Sequence, residues 1–345
     1  MKRKGLILGI TGQDGSYLAE LLLEKGYEVH GLIRRSATGN TKNIDHLLGQ
    51  ITLHPGDLAD SPSLYRIIQS LHPNEIYNEA DQDHAGWSYD LVDYASDITG
   101  GAVGRLLEII RQTDSKIRFF QPLTSNMFGI AENSPQNEAT PLRPQSPYAC
   151  AKAYAFMLTR YFRDVHGLFA SCAIFYNHES PRRTQSYVTH KITRAAVRIS
   201  MGLQDKLILG DLESKIDFGY AKEYVEAAWR ILQLSAPDDF VIGTGEVHSV
   251  REFLEEAFRA VGLNASDFVE SDPKLFRPGK TSTLVADYSK AKKAIGFEPK
   301  VTFTKLVQIL IDHDKEELQK ERGRQGKAYE LGISFWTNHG LDSGH

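Results

Sequence analysis

Along the first half of the chain, short apolar runs alternate with segments whose apolar positions recur every three or four residues. The runs Gly5–Ile10, Glu28–Ile33, Ile51–Leu53, Glu75–Asn78, Arg118–Gln121 and Ala170–Phe175 predict strands. Tyr17–Lys25, Ser63–Leu71 and Gly104–Arg111 carry the helical period, with Gly26 as C-terminal cap of the first. Regular alternation of strand and helix predicts an α/β fold, a doubly wound parallel sheet with right-handed crossovers. Pro122 has no N–H to give a central strand, so the fifth strand is expected to stop at Gln121.

The second half is more mixed. Helical patterns at Thr189–Met201, Lys222–Leu234, Val250–Val261 and Phe303–Lys320 are separated by short strands and loops. This predicts a sheet domain mainly over 1–176 and a smaller mixed α/β substrate-binding domain mainly over 177–321. Some late segments are expected to return to the first domain, and 322–345 to form a poorly packed tail.

Composition adds little to this division. Of 345 residues, 41% are hydrophobic and 24% charged, an ordinary globular balance. A net charge of −4 supplies no basic surface for nucleic acid or anionic membrane. No segment approaches the roughly 18 apolar residues of a membrane span. Cys150 and Cys172 make no disulfide framework; they are expected as small buried hydrophobes in a cytoplasmic protein.

The stretch GITGQDG changes the picture. Gly9, Gly12 and Gly15, with Gln13 and Asp14 between them, lie directly between the first strand and the first helix. Glycines there let a pyrophosphate approach the helix N-terminus, where free N–H groups and the helix dipole favour anions. The spacing differs from the common G-x-G-x-x-G, but its context predicts a Rossmann-type dinucleotide-binding sheet. At the end of the second strand, where an acid would bind an NAD ribose, stand Arg34 and Arg35, followed by Ser36. Paired guanidinium groups suit a 2′-phosphate, so NADP is the expected cofactor. Asp57 and Leu58, after the third strand, are placed for the adenine, although Asp57 also suits a turn cap.

SPYACAK supplies candidate chemistry. Ser146 and Pro147 signal a helix start, which puts Tyr148 in the first turn and Lys152 four residues on, on the same face. A nearby ammonium favours phenolate, the form a general base needs. No metal cluster is expected: His178 and Glu179 are adjacent rather than at helical spacing.

These features, with GITGQDGSYLAELLLEKGYEVHGLIRRS, GDLADS, SPYACAKAYA, NHESPRR, VTHKITRA, GLQDKLILG and TGEVHSVREF, resemble the GDP-mannose 4,6-dehydratase family of extended short-chain dehydrogenase/reductases. The resemblance runs from the N-terminus to about Pro299. It implies an NADP-dependent lyase that oxidises C4 of a GDP-linked hexose, eliminates water across C5 and C6, and returns the hydride to C6. Tyr148 would be the base at C4, Lys152 would tune it and hold the nicotinamide ribose, and Thr124 would bind the sugar oxygen. Ser88, Asn177, Glu179, Lys191 and Arg277 would contact the substrate, with Arg182, Arg183 and Lys206 as further cations. A homodimer or homotetramer is implied as well.

Departures cluster at the catalytic end. The family pattern has a glutamate two residues after the threonine, and here that position is Asn126, an amide that cannot act as a base. An NLAAQSHV-like segment is replaced by NEADQDHAG, Asn78–Gly86, which introduces Glu79, Asp81 and Asp83. At the nucleotide end, Ile216 and Lys280 stand where arginine and glutamate are usual. Three readings follow: a dehydratase whose base has moved to Asp81, Asp83 or His84; a 4-dehydrogenase or epimerase that loses no water; or a non-catalytic paralogue that binds NADP and a sugar nucleotide.

Overall fold

The computed structural model describes residues 2–34, 36, 39–276 and 282–330, with backbone alone for 323–330. The apolar runs of the first half become parallel strands. These are β1 (Lys4–Leu8), β2 (Glu28–Ile33), β3 (Thr52–Pro55), β4 (Glu75–Asn78), β5 (Arg118–Thr124) and β6 (Ala170–Phe175). Short later strands are β7 (Asn177–Glu179), β8 (Leu207–Leu209), β9 (Lys215–Ile216) and β10 (Phe218–Tyr220). They are followed by β11 (Asp239–Ile242), β12 (His248–Ser249) and β13 (Val269–Ser271). β11 returns to the main sheet, whose order is β3-β2-β1-β4-β5-β6-β11. Every pairing in it is parallel, the Rossmann arrangement.

Helices cover both faces because strand side chains alternate. Leu6, Leu8, Phe119 and Ile174 point to one side, which α2 (Ser61–Leu71), α4 (Ala102–Thr113) and α5 (Pro147–His166) cover. Ile7, Tyr77, Phe120 and Phe175 point to the other, under α1 (Gln13–Glu24) and α7 (Ala221–Leu232). The short α3 (Val92–Ala95) runs through a π-helical stretch, Ser96–Gly101, into α4. Each fully buried Leu, Ile or Phe contributes about 1.5–3 kcal/mol, so the two cores hold the sheet edge rigid. A third cluster, including Ile192, Phe218, Phe253 and Leu310, joins α6 (Val188–Ser200), α8 (Val250–Arg259) and α10 (Phe303–Glu330). The small α9 (Ser289–Ile295) packs back on β11. Among the described residues, no helix is long and apolar enough to cross a membrane.

Three expectations need correcting. β5 does not stop at Gln121; Pro122, Leu123 and Thr124 continue the pairing with β6. Phe119 N donates towards the β6 side, so by alternation the nitrogen of Pro122 faces β4, whose pairing has already ended at Phe120. The missing N–H therefore interrupts no ladder. α10 runs to Glu330, ten residues beyond the expected Lys320, through a charged stretch with no apolar stripe to reveal it. Cys172 is buried as expected, but Cys150 is exposed, on the outer side of α5.

Candidate active site

The glycine turn leaves β1 and enters α1 directly. Gly9 has φ of 79°, and a Cβ there would lie 2.6 Å from the Glu79 carbonyl oxygen. A Cβ on Gly15 would collide with Gly9 O and Ile10 Cα. The helix N-cap is Gly12, with no side-chain cap, so the first N–H groups face the turn. Sterics and dipole together form a cradle that fits the pyrophosphate of a dinucleotide.

Around it, Gln13 Nε2 donates to Asp14 Oδ1 (3.1 Å) and to His178 O (3.2 Å). Asp14 Oδ2 pairs with His178 Nε2 at 2.9 Å. Burial alone would lower the His178 pKa, but the Asp14 carboxylate outweighs it and holds the imidazole above its usual value. Glu79 stands behind the same turn with Oε1 enclosed and unpartnered. Burial, aided by Asp14, pushes its pKa up to about 8. Neither His178 nor the enclosure of Glu79 was legible in the sequence, because both depend on strands β1, β4 and β7 ending together.

Arg34 is exposed at the end of β2 and donates to Tyr94 Oη at 3.1 Å. Arg35, Arg277 and Lys280 lie outside the described residues. Asp57 accepts from Ala59 N at 2.9 Å, which is the turn-capping role, while Leu58 is buried.

Ser146 caps α5, its hydroxyl accepting from Ala149 N at 3.2 Å, with Pro147 in the first turn. Tyr148 and Lys152 therefore stand one turn apart on the inner face, both buried. Thr124, the last residue of β5, faces the Tyr148 phenol closely enough to favour its ionised form. Tyr148 N donates to Ser88 Oγ at 3.2 Å, which draws the loop after β4 into the same site. Burial lifts the Tyr148 pKa well above 10; Asp81 and Asp83 add to this, and Arg183 and Thr124 oppose it. Lys152 Nζ lies 5.8 Å from the Tyr148 ring centroid, donates to Pro122 O (2.9 Å), and pairs with Asp81 Oδ2 at 2.5 Å. The other Asp81 oxygen accepts from Thr99 Oγ1.

Asn126 is the second residue of the 3-10 turn Ser125–Phe128, half-buried, its N–H donating to Thr124 Oγ1 at 3.2 Å. Of the acids of the loop after β4, Asp81 is fully engaged, whereas Asp83 is exposed. His84 packs tilted against Trp87 at 4.6 Å and edge-on against Tyr187 at 5.4 Å.

The expected substrate residues divide. Asn177 and Lys191 are exposed at the starts of β7 and α6. Glu179 is buried, accepting from Thr189 Oγ1 (2.6 Å) and facing Arg183 Nε (3.5 Å). It thus braces Arg183, which lies 3.6 Å over the Tyr187 ring. Arg182 is spent on α1, donating to Ser16 Oγ at 3.0 Å and lying over Tyr17. Among the described residues, no group of three His, Cys, Asp or Glu side chains is placed to hold a metal.

A buried Tyr–Lys pair and a threonine at the carboxyl edge of a Rossmann sheet define the short-chain dehydrogenase/reductase class. The GDP-mannose 4,6 dehydratase family model matches residues 6–310. GDP-mannose 4,6 dehydratase 1 of Arabidopsis thaliana is 46% identical over 333 residues, covering 93% of this chain and 92% of the relative. The structure is similar to Thermus thermophilus UDP-glucose 4-epimerase in complex with NAD (TM-score 0.79, 26% identity, 90% of this chain and 99% of that one). It also resembles RMD from Pseudomonas aeruginosa complexed with NADPH (TM-score 0.76, 19% identity, 91% and 100%). The chain belongs to the GDP-mannose 4,6-dehydratase family, whose members are lyases.

Proposed function

We propose that this chain is an NADP-dependent enzyme acting at C4 of a GDP-linked hexose. The observation that carries the reading is the buried Tyr148–Lys152 pair one turn apart on α5, with Thr124 ending the strand beside it and a glycine cradle at the same sheet edge. A bound nicotinamide supplies hydride acceptance and return. Tyr148 takes the proton of the C4 hydroxyl, Thr124 orients that oxygen, and Lys152 holds the nicotinamide ribose. Exposed Asn177 and Lys191, with Ser88 and Arg277, are the substrate contacts of this reading. Arg34 and Arg35 favour NADP over NAD through the 2′-phosphate, in keeping with the NADPH of one structural relative, while another holds NAD.

A second reading, net C4 oxidation or epimerisation without loss of water, is favoured by one observation. The position of the elimination base holds an amide, and Asp81, the acid nearest the catalytic pair, is already engaged by Lys152 and Thr99. Positioned acid–base catalysis contributes about 10²–10⁴ in rate, so its loss is felt at the C5 proton and not at C4. A homo-oligomer belongs to the proposal too: Tyr154, Met157, Tyr161 and Val165 line one face of α5, all exposed. Two free thiols are in keeping with a cytoplasmic setting.

Mass spectrometry of product from GDP-mannose and NADP, beside an Asn126→Glu variant, tests both readings. Loss of about 18 Da is dehydration, loss of about 2 Da net oxidation, and unchanged mass with altered configuration epimerisation. An inert natural protein that binds both ligands would identify a non-catalytic paralogue and end the proposal.

A further inference from the structure

The resemblance assigns Lys152 to Tyr148, yet in this chain its ammonium is taken elsewhere. Lys152 Nζ is 2.5 Å from Asp81 Oδ2 and 2.9 Å from Pro122 O, whereas the Tyr148 ring centroid is 5.8 Å away. Asp81 is fixed in this role: its second oxygen accepts from Thr99, in the π-helical stretch before α4. The pair is enclosed, with side-chain exposures of 5% and 11%. At such depth opposite charges neutralise each other's field, and little of the ammonium's potential reaches a third group.

We propose that Asp81 is a counterion that captures Lys152 and so holds Tyr148 protonated, making it the residue that sets the alkaline onset of chemistry at C4. Asp81 is thus a positioning residue rather than a replacement for the missing base. The surroundings of Tyr148 agree. From the loop after β4, Asp81 and Asp83 oppose the phenolate. Arg183, after β7, and the Thr124 hydroxyl of β5 favour it, and the half-buried Tyr187 adds a second phenol, donating to Asp83 O at 3.1 Å. With Asp81 neutral, one opposing charge disappears, and the phenolate becomes the anion within reach of Lys152.

This inference rests on Tyr148 being the C4 base, but its test does not. The whole chain, labelled with [ζ-13C]tyrosine, is titrated by NMR without cofactor or substrate. Tyr148→Phe assigns the signal, and Asp81→Asn and Asp81→Ala are compared with the natural protein. The expected result is a Tyr148 midpoint at least about one pH unit lower in both variants, or a tenfold larger phenolate fraction at a given pH. The pH profile of C4 oxidation should move in the same direction. A Tyr148 signal that does not move to lower pH overturns the proposal, whether it titrates unchanged or not at all. Collapse of both variants would assign Asp81 to stability and overturn it equally. Absence of C4 oxidation with a shifted titration would sink the catalytic reading alone.

Discussion

Two turns leave the carboxyl edge of the sheet side by side, Gly9–Gly15 after β1 and the acidic loop beginning at Glu79 after β4, and different forces hold them. In the first, backbone meets backbone: Gly9 lies against the Glu79 carbonyl, and Gly15 against Gly9 itself. In the second, charge meets charge: Asp81 is clamped by Lys152 and Thr99, and half-buried Glu79 holds one carboxylate oxygen enclosed without a partner. A steric requirement marks every position that it touches, so one sequence suffices to reveal it. An electrostatic requirement marks only residue types, and its partners arrive from distant elements.

The largest expected effect probes the charged side. Lys152→Ala leaves the Asp81 carboxylate buried and unpaired, and should destabilise the fold by about 3–5 kcal/mol in chemical denaturation. The Asp81→Ala, Lys152→Ala double variant should recover much of that loss. A double variant as unstable as the sum of the singles would show that the pair is not coupled. The second effect probes the steric side. Gly15→Ala pushes a methyl into the Gly9 carbonyl, and overpacking of this kind costs about 1–3 kcal/mol. NADP affinity, read by ligand titration, should fall at least about tenfold with it, since the turn would have to open where the proposed site takes the pyrophosphate. Intact affinity in Gly15→Ala would place the cofactor elsewhere.

The same contrast explains what the sequence disclosed. Strands β2, β4 and β6 were legible to the residue because turn formers stand shortly before each: Gly26, Pro73–Asn74 and Gly167. The Ser146–Pro147 start of α5 was legible because capping is local. β5 was cut short because the proline rule says nothing of which neighbour a strand has already parted from. β11 was not named among the strands, since the four residues Asp239–Ile242 show no periodicity of their own and are fixed by pairing with β6. In the site, Tyr148 and Lys152 could be found by spacing, and Thr124 by the resemblance. That Asp81 takes the lysine, that Glu179 braces Arg183 and that His178 holds Asp14 required the fold.

A third prediction turns on pH. Glu79 has a folded pKa of about 8 against an ordinary 4.5, so the folded chain holds an extra proton between those values. Stability must therefore fall as pH rises through that window, with the full loss present above about 8. Glu79→Gln removes the titration. Its stability advantage over the natural protein should be absent near pH 4 and grow to about 1–3 kcal/mol by pH 8.5, allowing for partial exposure of the side chain. Parallel pH profiles for the two proteins would show that Glu79 ionises freely and that the acidic loop is less enclosed than the glycine turn beside it.

The smallest effect separates the two turns from the arm that follows β2. Arg34 is exposed and bonded only through Tyr94 among the contacts described for it, so its removal should leave stability within about 0.5 kcal/mol of the natural protein. Its charge would meet the cofactor at the adenosine 2′-phosphate, where NADP and NAD differ and where neither the glycine cradle nor the acidic loop can discriminate. Arg34→Ala should therefore weaken NADP by about tenfold, one charge-assisted hydrogen bond, and leave NAD unchanged. Equal weakening of both would place Arg34 at the shared pyrophosphate. No weakening of either would leave the choice of cofactor to other residues and make the glycine turn sufficient for binding by itself.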